Sequence, residues 1–331
     1  MSLIRIFRRL ILVLVLVLPA TTRAADPVSE MAEFSVFGKV DLAELAKGGI
    51  KTATGTPMST ARYLSVQSCF VIPNPPAKVI AAMKRFDPTA HRELKVFLHS
   101  DLPASPSAAD FARLNSPPDN SAVQALSAAT SKMSSDLQVS RAEAQKFSAG
   151  QPVFAFWTDL LTKRAQAFAS GGAKSEAPYD HTASAVQPGQ ELAGLVRQGG
   201  KVNRQFGGFL GATGLIGGKG SLRPDLYWEL LEVEDEGVLT LGASYTRSTP
   251  GGAQIADGLY YASGGYNVAL TLYQLWPLDL GGRASTLVWR GDFISANSLG
   301  DLHGIERLAS ESAMRKDILK AATVFQRDGS R

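Results

Sequence analysis

The chain has 331 residues, with 34 Lys or Arg, 30 Asp or Glu, 45% hydrophobic residues and a single cysteine. This length and composition are typical of a globular protein that can bury an ordinary hydrophobic core. A lone cysteine excludes an internal disulfide, and the four scattered histidines form no zinc-binding pattern. We therefore expect neither a metal nor a cofactor.

The first 24 residues have the pattern of a secretory signal peptide. Three arginines precede an apolar run from Leu10 to Leu18, and small residues before Ala24 provide a cleavage site. We expect residues 1–24 to be removed and the mature protein to be periplasmic or secreted, with an uncleaved anchor as the alternative. The segment carries four basic residues and no acid, so 30 residues of each sign remain after it. This balance argues against a nucleic-acid partner.

The first well-patterned element follows a mixed segment. Residues 25–61 are interpreted as an N-terminal extension with a short helix over 41–47 and a loop over 52–60. The run from Tyr63 to Ile72 then alternates as a strand does, and it ends at a proline turn. A helix starting near Pro75 follows, because early helical positions do not need their N–H groups. Residues 92–99 are predicted to form a second strand.

Residues 101–225 are predicted to be a mainly helical insertion. The Ser-x-x-acid sequences at 107–110 and 140–143 predict helix starts, but these helices are weakly apolar and are expected outside the main core. A stronger helix is predicted for 152–168. The glycine-rich tract 207–220 fails the P-loop pattern because its lysine is followed by glycine, so it is interpreted as a flexible apolar loop. A lid or a membrane-touching tip is the alternative for this tract.

From residue 226 the apolar pattern has a period of two, which predicts strands. Two strands, 226–234 and 238–247, form a hairpin. The region 259–276 reads as one long strand in which Gly264 and Gly265 mark a bulge or bend. A turn over 277–282, a last strand over 285–296 and one long helix over 301–326 complete the order.

Two stretches resemble a known group of proteins. "VIPNPPAKVIAAMKRFD" is similar to the first strand and helix of the START-like, polyketide cyclase (SRPBCC) group, and "ASTLVWRGDFISA" resembles its penultimate segment. The resemblance covers residues 62–100 and 226–326 and implies an α+β domain over 62–331. In the helix-grip fold of this group, a curved antiparallel sheet wraps a long C-terminal helix. Residues 101–225 have no counterpart in the smallest proteins of this group and would be an insertion. The alternative to the helix-grip fold is an unrelated α+β domain built from the same elements.

A sheet curved around a helix leaves space for a ligand, and such pockets are mostly apolar with a few polar anchors. We therefore predict an apolar cavity between residues 226–296 and the helix 301–326. Each candidate ligand-binding residue named below also has a purely structural interpretation. The aromatic residues would then be core residues, the alanines would allow close helix packing, and Arg290 would form a surface ion pair with Asp292. In the ligand-binding interpretation, Arg290 points inward and holds a carboxylate or phosphate of the ligand. The candidates are Trp228, Tyr245, Tyr266, Tyr273, Trp289, Arg290, Ala309 and Ala313.

These observations favour binding over catalysis. No GxSxG sequence is present, and Cys69 lies among strand-forming apolar residues. His91 and His99 lie near acidic residues but are interpreted as surface groups. The expected function is binding or transfer of an apolar small molecule or lipid, with transient membrane contact left open. A cyclase- or hydrolase-type enzyme and a structural envelope protein without a cavity are the alternatives, and the oligomeric state stays open.

Overall fold

A computed structural model of the protein describes residues 26–148, 150–182, 185–302 and 304–331. The predicted signal peptide and His303 lie outside the described residues. In the ranges that the structure describes, no helix is both long enough and apolar enough to cross a membrane.

The described chain contains ten α-helices and eight strands in an α+β arrangement. Short 3₁₀ helices lie at Pro88–Ala90, Arg92–Leu94, Ala108–Asn115 and Ala173–Ser175. The α-helices are α1 Pro27–Phe34, α2 Leu42–Ala46, α3 Pro76–Lys84, α4 Ser121–Lys132, α5 Arg141–Ala144, α6 Val153–Gly171, α7 Pro188–Gln198, α8 Lys201–Leu210, α9 Asn297–Asp301 and α10 Gly304–Gly329. The strands are β1 Ile50–Thr54, β2 Tyr63–Ile72, β3 Val96–Leu102, β4 Asp225–Val233, β5 Glu236–Thr249, β6 Gly252–Ala262, β7 Val268–Leu280 and β8 Arg283–Ser295.

All eight strands form one curved sheet in the order β1-β2-β8-β7-β6-β5-β4-β3. Every neighbouring pair is antiparallel. The predicted α+β class with an antiparallel sheet and a C-terminal helix is confirmed, and the arrangement is compatible with a helix-grip fold. Residues 25–61, interpreted as an extension, supply the edge strand β1 and the helix α1.

One face of the sheet is covered by a layer of helices that we call the helical layer: α1, α4, α6, α7, α8 and the 3₁₀ helix Ala108–Asn115. The main hydrophobic core lies between this layer and the sheet. Phe111 and Leu114 of the helix that follows Ser107 belong to this core, so the expectation that this helix lies outside it is wrong. The helix that follows Ser140 contains no buried residue. The helix after Ser107 buries two large residues, and a weak overall apolar pattern is enough for that.

The opposite face of the sheet is covered only in part. Helix α10 packs along β2 and β1, and α3 packs against α10 and the adjoining strands. A second core, which includes Phe70, Val288 and Phe325, fills the space near this edge. Strands β3 to β7 on this face are therefore left without a full cover of helix.

Several local predictions match the structure. Strand β2 has the predicted bounds, and the hairpin of β4 and β5 turns at Glu234 and Asp235, which both have positive φ. Capping boxes are present at Ser107 and Ser140. Apart from the last two residues of β3 and an isolated bridge between Tyr179 and Val186, residues 101–224 contain no strand in the described part of the chain.

Other bounds are corrected. The region 259–276 is not one strand, since the chain reverses after β6 and Gly265 adopts φ +76° in that reversal. The turn predicted for 277–282 is shorter because Pro277 still pairs with Thr286, and the reversal comes at Gly281 and Gly282, where φ is positive. β3 begins at Val96 rather than 92, because two 3₁₀ turns precede it.

The glycine-rich tract 207–220 is an integral part of the fold. Its first four residues end α8, and Leu215 is fully buried in the main core. The N–H of Gly214 donates to the hydroxyl of Tyr245 across the core, at 3.1 Å. The predicted apolar loop is therefore confirmed only for residues 211–220, which contain no helix or strand. The alternative of a membrane-touching tip is not supported, because Leu215 faces the core.

Candidate ligand-binding cleft

A cleft of about 800 Å³ lies between the uncovered face of the sheet and the helices α3 and α10. Its walls include the apolar side chains of Ile80 and Met83 of α3, of Leu94, and of Ala321 and Phe325 of α10, beside the charged Lys84, Arg85 and Asp87. Helical spacing puts Ile80 and Met83 on one side of α3, and Ala321 and Phe325 on one side of α10. The walls can therefore contact the apolar part of a ligand.

The floor of the cleft is polar, and strand pairing explains why. Alternate residues of a strand point to the same face, and residues directly opposite each other on neighbouring strands share that face. His99 pairs with Glu229 across β3 and β4, Asp257 with Thr271 across β6 and β7, and Tyr273 with Arg290 across β7 and β8. The residues on the other face of these strands pack into the main core. The sheet thus gathers side chains from distant parts of the sequence onto one floor.

Asp257 lies at the centre of this floor. Its Oδ1 accepts a hydrogen bond from the hydroxyl of Tyr227 at 2.6 Å. Burial raises the pKa of Asp257 to about 6, partly offset by the Tyr227 hydrogen bond, and the charge of Glu229 raises it further. Some of its surface still faces the cleft, so the carboxyl is both largely desolvated and accessible to a ligand.

His99 and Glu229 form a second polar pair beside Asp257. The Nδ1 of His99 lies 3.0 Å from Oε1 of Glu229, and its Nε2 lies 3.8 Å from Asp101, which is exposed at the mouth. Burial alone would lower the pKa of His99, but the hydrogen bond and charge of Glu229 outweigh burial, so the pKa is raised. The imidazole ring lies 5.6 Å from the ring of Tyr227, which links the two pairs.

Arg290 completes the floor on the β8 side. Its Nη2 and Nε donate to the two carboxylate oxygens of Asp292, at 2.6 and 2.8 Å, and Thr271 donates to the same carboxylate at 3.1 Å. The guanidinium lies 5.5 Å from the ring centroid of Tyr273. Arg290 therefore faces the cleft, as one alternative predicted, and pairs with Asp292, as the other predicted.

The structure places the other sequence-predicted residues elsewhere. Trp228, Tyr245 and Trp289 are buried on the opposite face, in the main core beneath the helical layer, so they are corrected from ligand-binding to core residues. The indole N–H of Trp228 donates to the carbonyl of Asp110, and that of Trp289 to Oε1 of Gln67, both at 3.1 Å. These partners satisfy the polar groups of both tryptophans within the core.

Three further candidates also lie outside the cleft. Tyr266 is in the β6–β7 turn and packs against a small cluster around Leu299. Ala309 and Ala313 are exposed on the first half of α10 and do not line the cleft. The alanine that lines it is Ala321, because only the second half of the helix approaches the floor. Of the eight candidates, Tyr273 and Arg290 line the cleft.

Sequence reasoning missed Tyr227, Glu229, Asp257 and Thr271. Asp257 had a recognisable signal, since it occupies an alternate position between Ile255 and Leu259, where an acid interrupts an apolar strand face. Asp257 was not recognised as part of a strand face because the predicted strand began at residue 259, whereas β6 begins at Gly252. His99 was interpreted as a surface group near acidic residues, but its main partner Glu229 is 130 residues away in the sequence.

Comparison of this chain with protein-family models, with curated proteins and with solved structures finds no match. Among the described residues, no group of three or more His, Cys, Asp or Glu side chains is arranged to hold a metal ion. The geometry of the cleft therefore carries the functional argument by itself.

Proposed function

We propose that this protein binds a small amphipathic molecule in the cleft between the sheet and the helices α3 and α10. The apolar part of the ligand contacts Ile80, Met83 and Phe325, and its polar part reaches the floor at Asp257. A lipid or another apolar compound with one polar end fits this description. We also propose that the protein acts after export, as the pattern of residues 1–24 suggests.

The observation that carries this proposal is the combination of volume and lining. The cleft measures about 800 Å³, within the range of small-molecule sites, and its lining combines apolar side chains from α3 and α10 with many polar and charged groups, as an amphipathic ligand requires. The suggested helix-grip arrangement supports the same proposal, because that fold holds ligands between its sheet and its last helix.

Blocking the cleft tests the proposal. Ala321→Trp places a large side chain in the cleft, whereas Ala313→Trp adds the same side chain at an exposed position of the same helix. We expect the parent protein and Ala313→Trp to bind the apolar fluorophore N-phenyl-1-naphthylamine alike. Ala321→Trp should weaken binding by about tenfold or more, which corresponds to about 1.4 kcal/mol. Both variants should keep their melting temperature within a few degrees.

Extraction of the purified protein for mass spectrometry gives an independent measurement. A bound amphipathic compound should be recovered from the parent and from Ala313→Trp, and less of it from Ala321→Trp. If the parent binds no fluorophore and yields no compound, the cleft is not a ligand site and the proposal is wrong.

A proton-transfer enzyme is a second candidate function. The observation in its favour is that Asp257, with its raised pKa of about 6, lies beside Tyr227 and the His99–Glu229 pair in the same cleft. Groups poised near neutral pH are suited to general acid–base catalysis. The extracted compound incubated with the protein in D₂O should then exchange carbon-bound hydrogen for deuterium, and Asp257→Asn should abolish the exchange. Absence of exchange would leave binding as the function.

A further inference from the structure

The charged groups on the floor of the cleft differ in whether they have a partner of opposite sign. Arg290 has Asp292, which it contacts with two donors, and His99 has Glu229. Asp257 has only the neutral hydroxyl of Tyr227. In the described part of the chain, it forms no salt bridge with any Lys, Arg or His side chain.

We infer that the polar end of the ligand is a molecular cation, such as a protonated amine, for which Asp257 is the counter-ion. A carboxylate that is largely desolvated and lacks a cationic partner is unfavourable, and a ligand cation would supply the missing charge. This inference rests on the proposed binding function and specifies the chemistry of its ligand.

The surroundings of Asp257 are consistent with a cation. The rings of Tyr227, Tyr273 and Phe325 line the same cleft, and aromatic faces attract positive charge. Glu229 on β4 adds negative charge beside Asp257, while Arg290 and His99 are each compensated by their own carboxylate partner. At the rim, Lys84 pairs with Asp225 at 3.0 Å and thus adds little net positive charge. Arg85 and Arg223 also line the cleft and form no salt bridge within the described residues, so strong competition by an anionic probe would point to these two arginines instead of Asp257.

Three probes with the same tail separate the head-group classes: decylamine, decan-1-ol and decanoate, each competing with N-phenyl-1-naphthylamine at pH 7.5. In the wild-type protein we expect decylamine to compete about tenfold or more better than decan-1-ol, and decanoate to be the weakest. Asp257→Asn, which keeps the shape and removes the charge, should abolish the preference for the amine. Asp317→Asn removes an exposed carboxylate on α10, outside the cleft, and should leave the preference unchanged.

The outcomes are distinguishable. If the three probes compete equally, or if decanoate competes best, the ligand end is not a cation and this inference is wrong, although binding in the cleft stands. If the amine preference persists in Asp257→Asn, another group is the counter-ion and the inference is also wrong. If the fluorophore does not bind the parent protein, the proposed function itself fails. The comparison of head groups in wild-type protein needs no variant, so it stays decisive even if Asp257→Asn does not fold.

Discussion

Replacing Glu176 with Gln will reveal whether the helical layer holds a buried proton. Arg164 of α6 lies between two carboxylates, with 2.6 Å from its Nη2 to Oε2 of Glu143 and 3.3 Å from its Nη1 to Oε2 of Glu176. The side chains of Arg164 and Glu176 are 2% and 0% exposed. If both acids were ionised, one buried cation would face two buried anions. An uncompensated buried charge is costly, so we expect the more buried acid, Glu176, to keep its proton.

The expected change in the free energy of unfolding with pH follows from the difference in the pKa of Glu176 between the folded and unfolded states. Burial raises the pKa of Glu176 to about 8, even though the charge and hydrogen bond of Arg164 act in the opposite direction. Because the folded state holds this proton more tightly than the unfolded state does, this contribution to the free energy of unfolding is fully present below pH 4.5. It is lost as the pH rises from 4.5 to about 8. At 1.36 kcal/mol per pH unit, this interval corresponds to a loss of about 5 kcal/mol.

Urea unfolding at pH 5, 7 and 9 measures this pH-dependent contribution of Glu176 to the free energy of unfolding. Glu176→Gln removes the titrating group and keeps its shape, so its stability relative to wild type should rise by several kcal/mol between pH 5 and pH 9. Glu236→Gln, at an exposed position, is the control and should show no such trend. A constant difference between Glu176→Gln and wild type, or one that rises toward acid pH, would refute the reasoning, since Glu176 would then be ionised in the folded protein.

Other consequences are directly measurable. In Gly237→Ala the new Cβ would lie 2.6 Å from the backbone oxygen of Ala122, so we expect the free energy of unfolding to fall by about 1–3 kcal/mol. In Gly208→Ala, within α8, the new Cβ meets no atom within 4 Å, so we expect the free energy of unfolding to rise by about 0.5–1 kcal/mol. Equal effects of the two substitutions in urea unfolding would contradict the packing argument. Burial raises the pKa of Cys69 to about 12, so a maleimide reagent should label it only on unfolding, and rapid labelling of native protein would contradict this. Export should produce a mature N-terminus just after Ala24, and N-terminal sequencing that finds Met1 would exclude cleavage.

Local patterns in the sequence predicted many elements because the responsible interactions are local. The alternation of β2, the hairpin of β4 and β5, and the capping box at Ser107 depend on residues a few positions apart. The boundary between β6 and β7 was missed because a glycine pair is compatible with a bulge and with a reversal. Only the antiparallel pairing of β6 with β7, in which Leu259 lies opposite Ala269, distinguishes the two.

The candidate site was predicted less well, for a reason that lies in tertiary structure. Alternation in β8 predicts that Trp289 and Arg290 face opposite sides of the sheet, but it does not predict which side the helical layer covers. The layer covers the side of Trp289, and the aromatic residue that looked like a pocket lining is core. The polar partners of Asp257 and His99 come from β4, so their meeting depends on the strand order and cannot be inferred from spacing.

The cleft exists because α10 is fixed along one edge of the sheet. At the N-terminal half of α10, Arg307 donates to the carbonyls of Tyr63 and Leu299, at 2.8 and 2.9 Å. At the C-terminal half, Gln326 donates to the carbonyl of Val71 at 3.0 Å, and Asn74 donates to that of Gly329 at 2.8 Å. Both ends of the helix are thus tied to β2 or its flanks, and the helix cannot move over the centre of the sheet without breaking these bonds. The polar floor on β3 to β8 therefore stays open to the cleft, while the aromatic residues on the reverse of the same strands provide the packing that holds the floor in place.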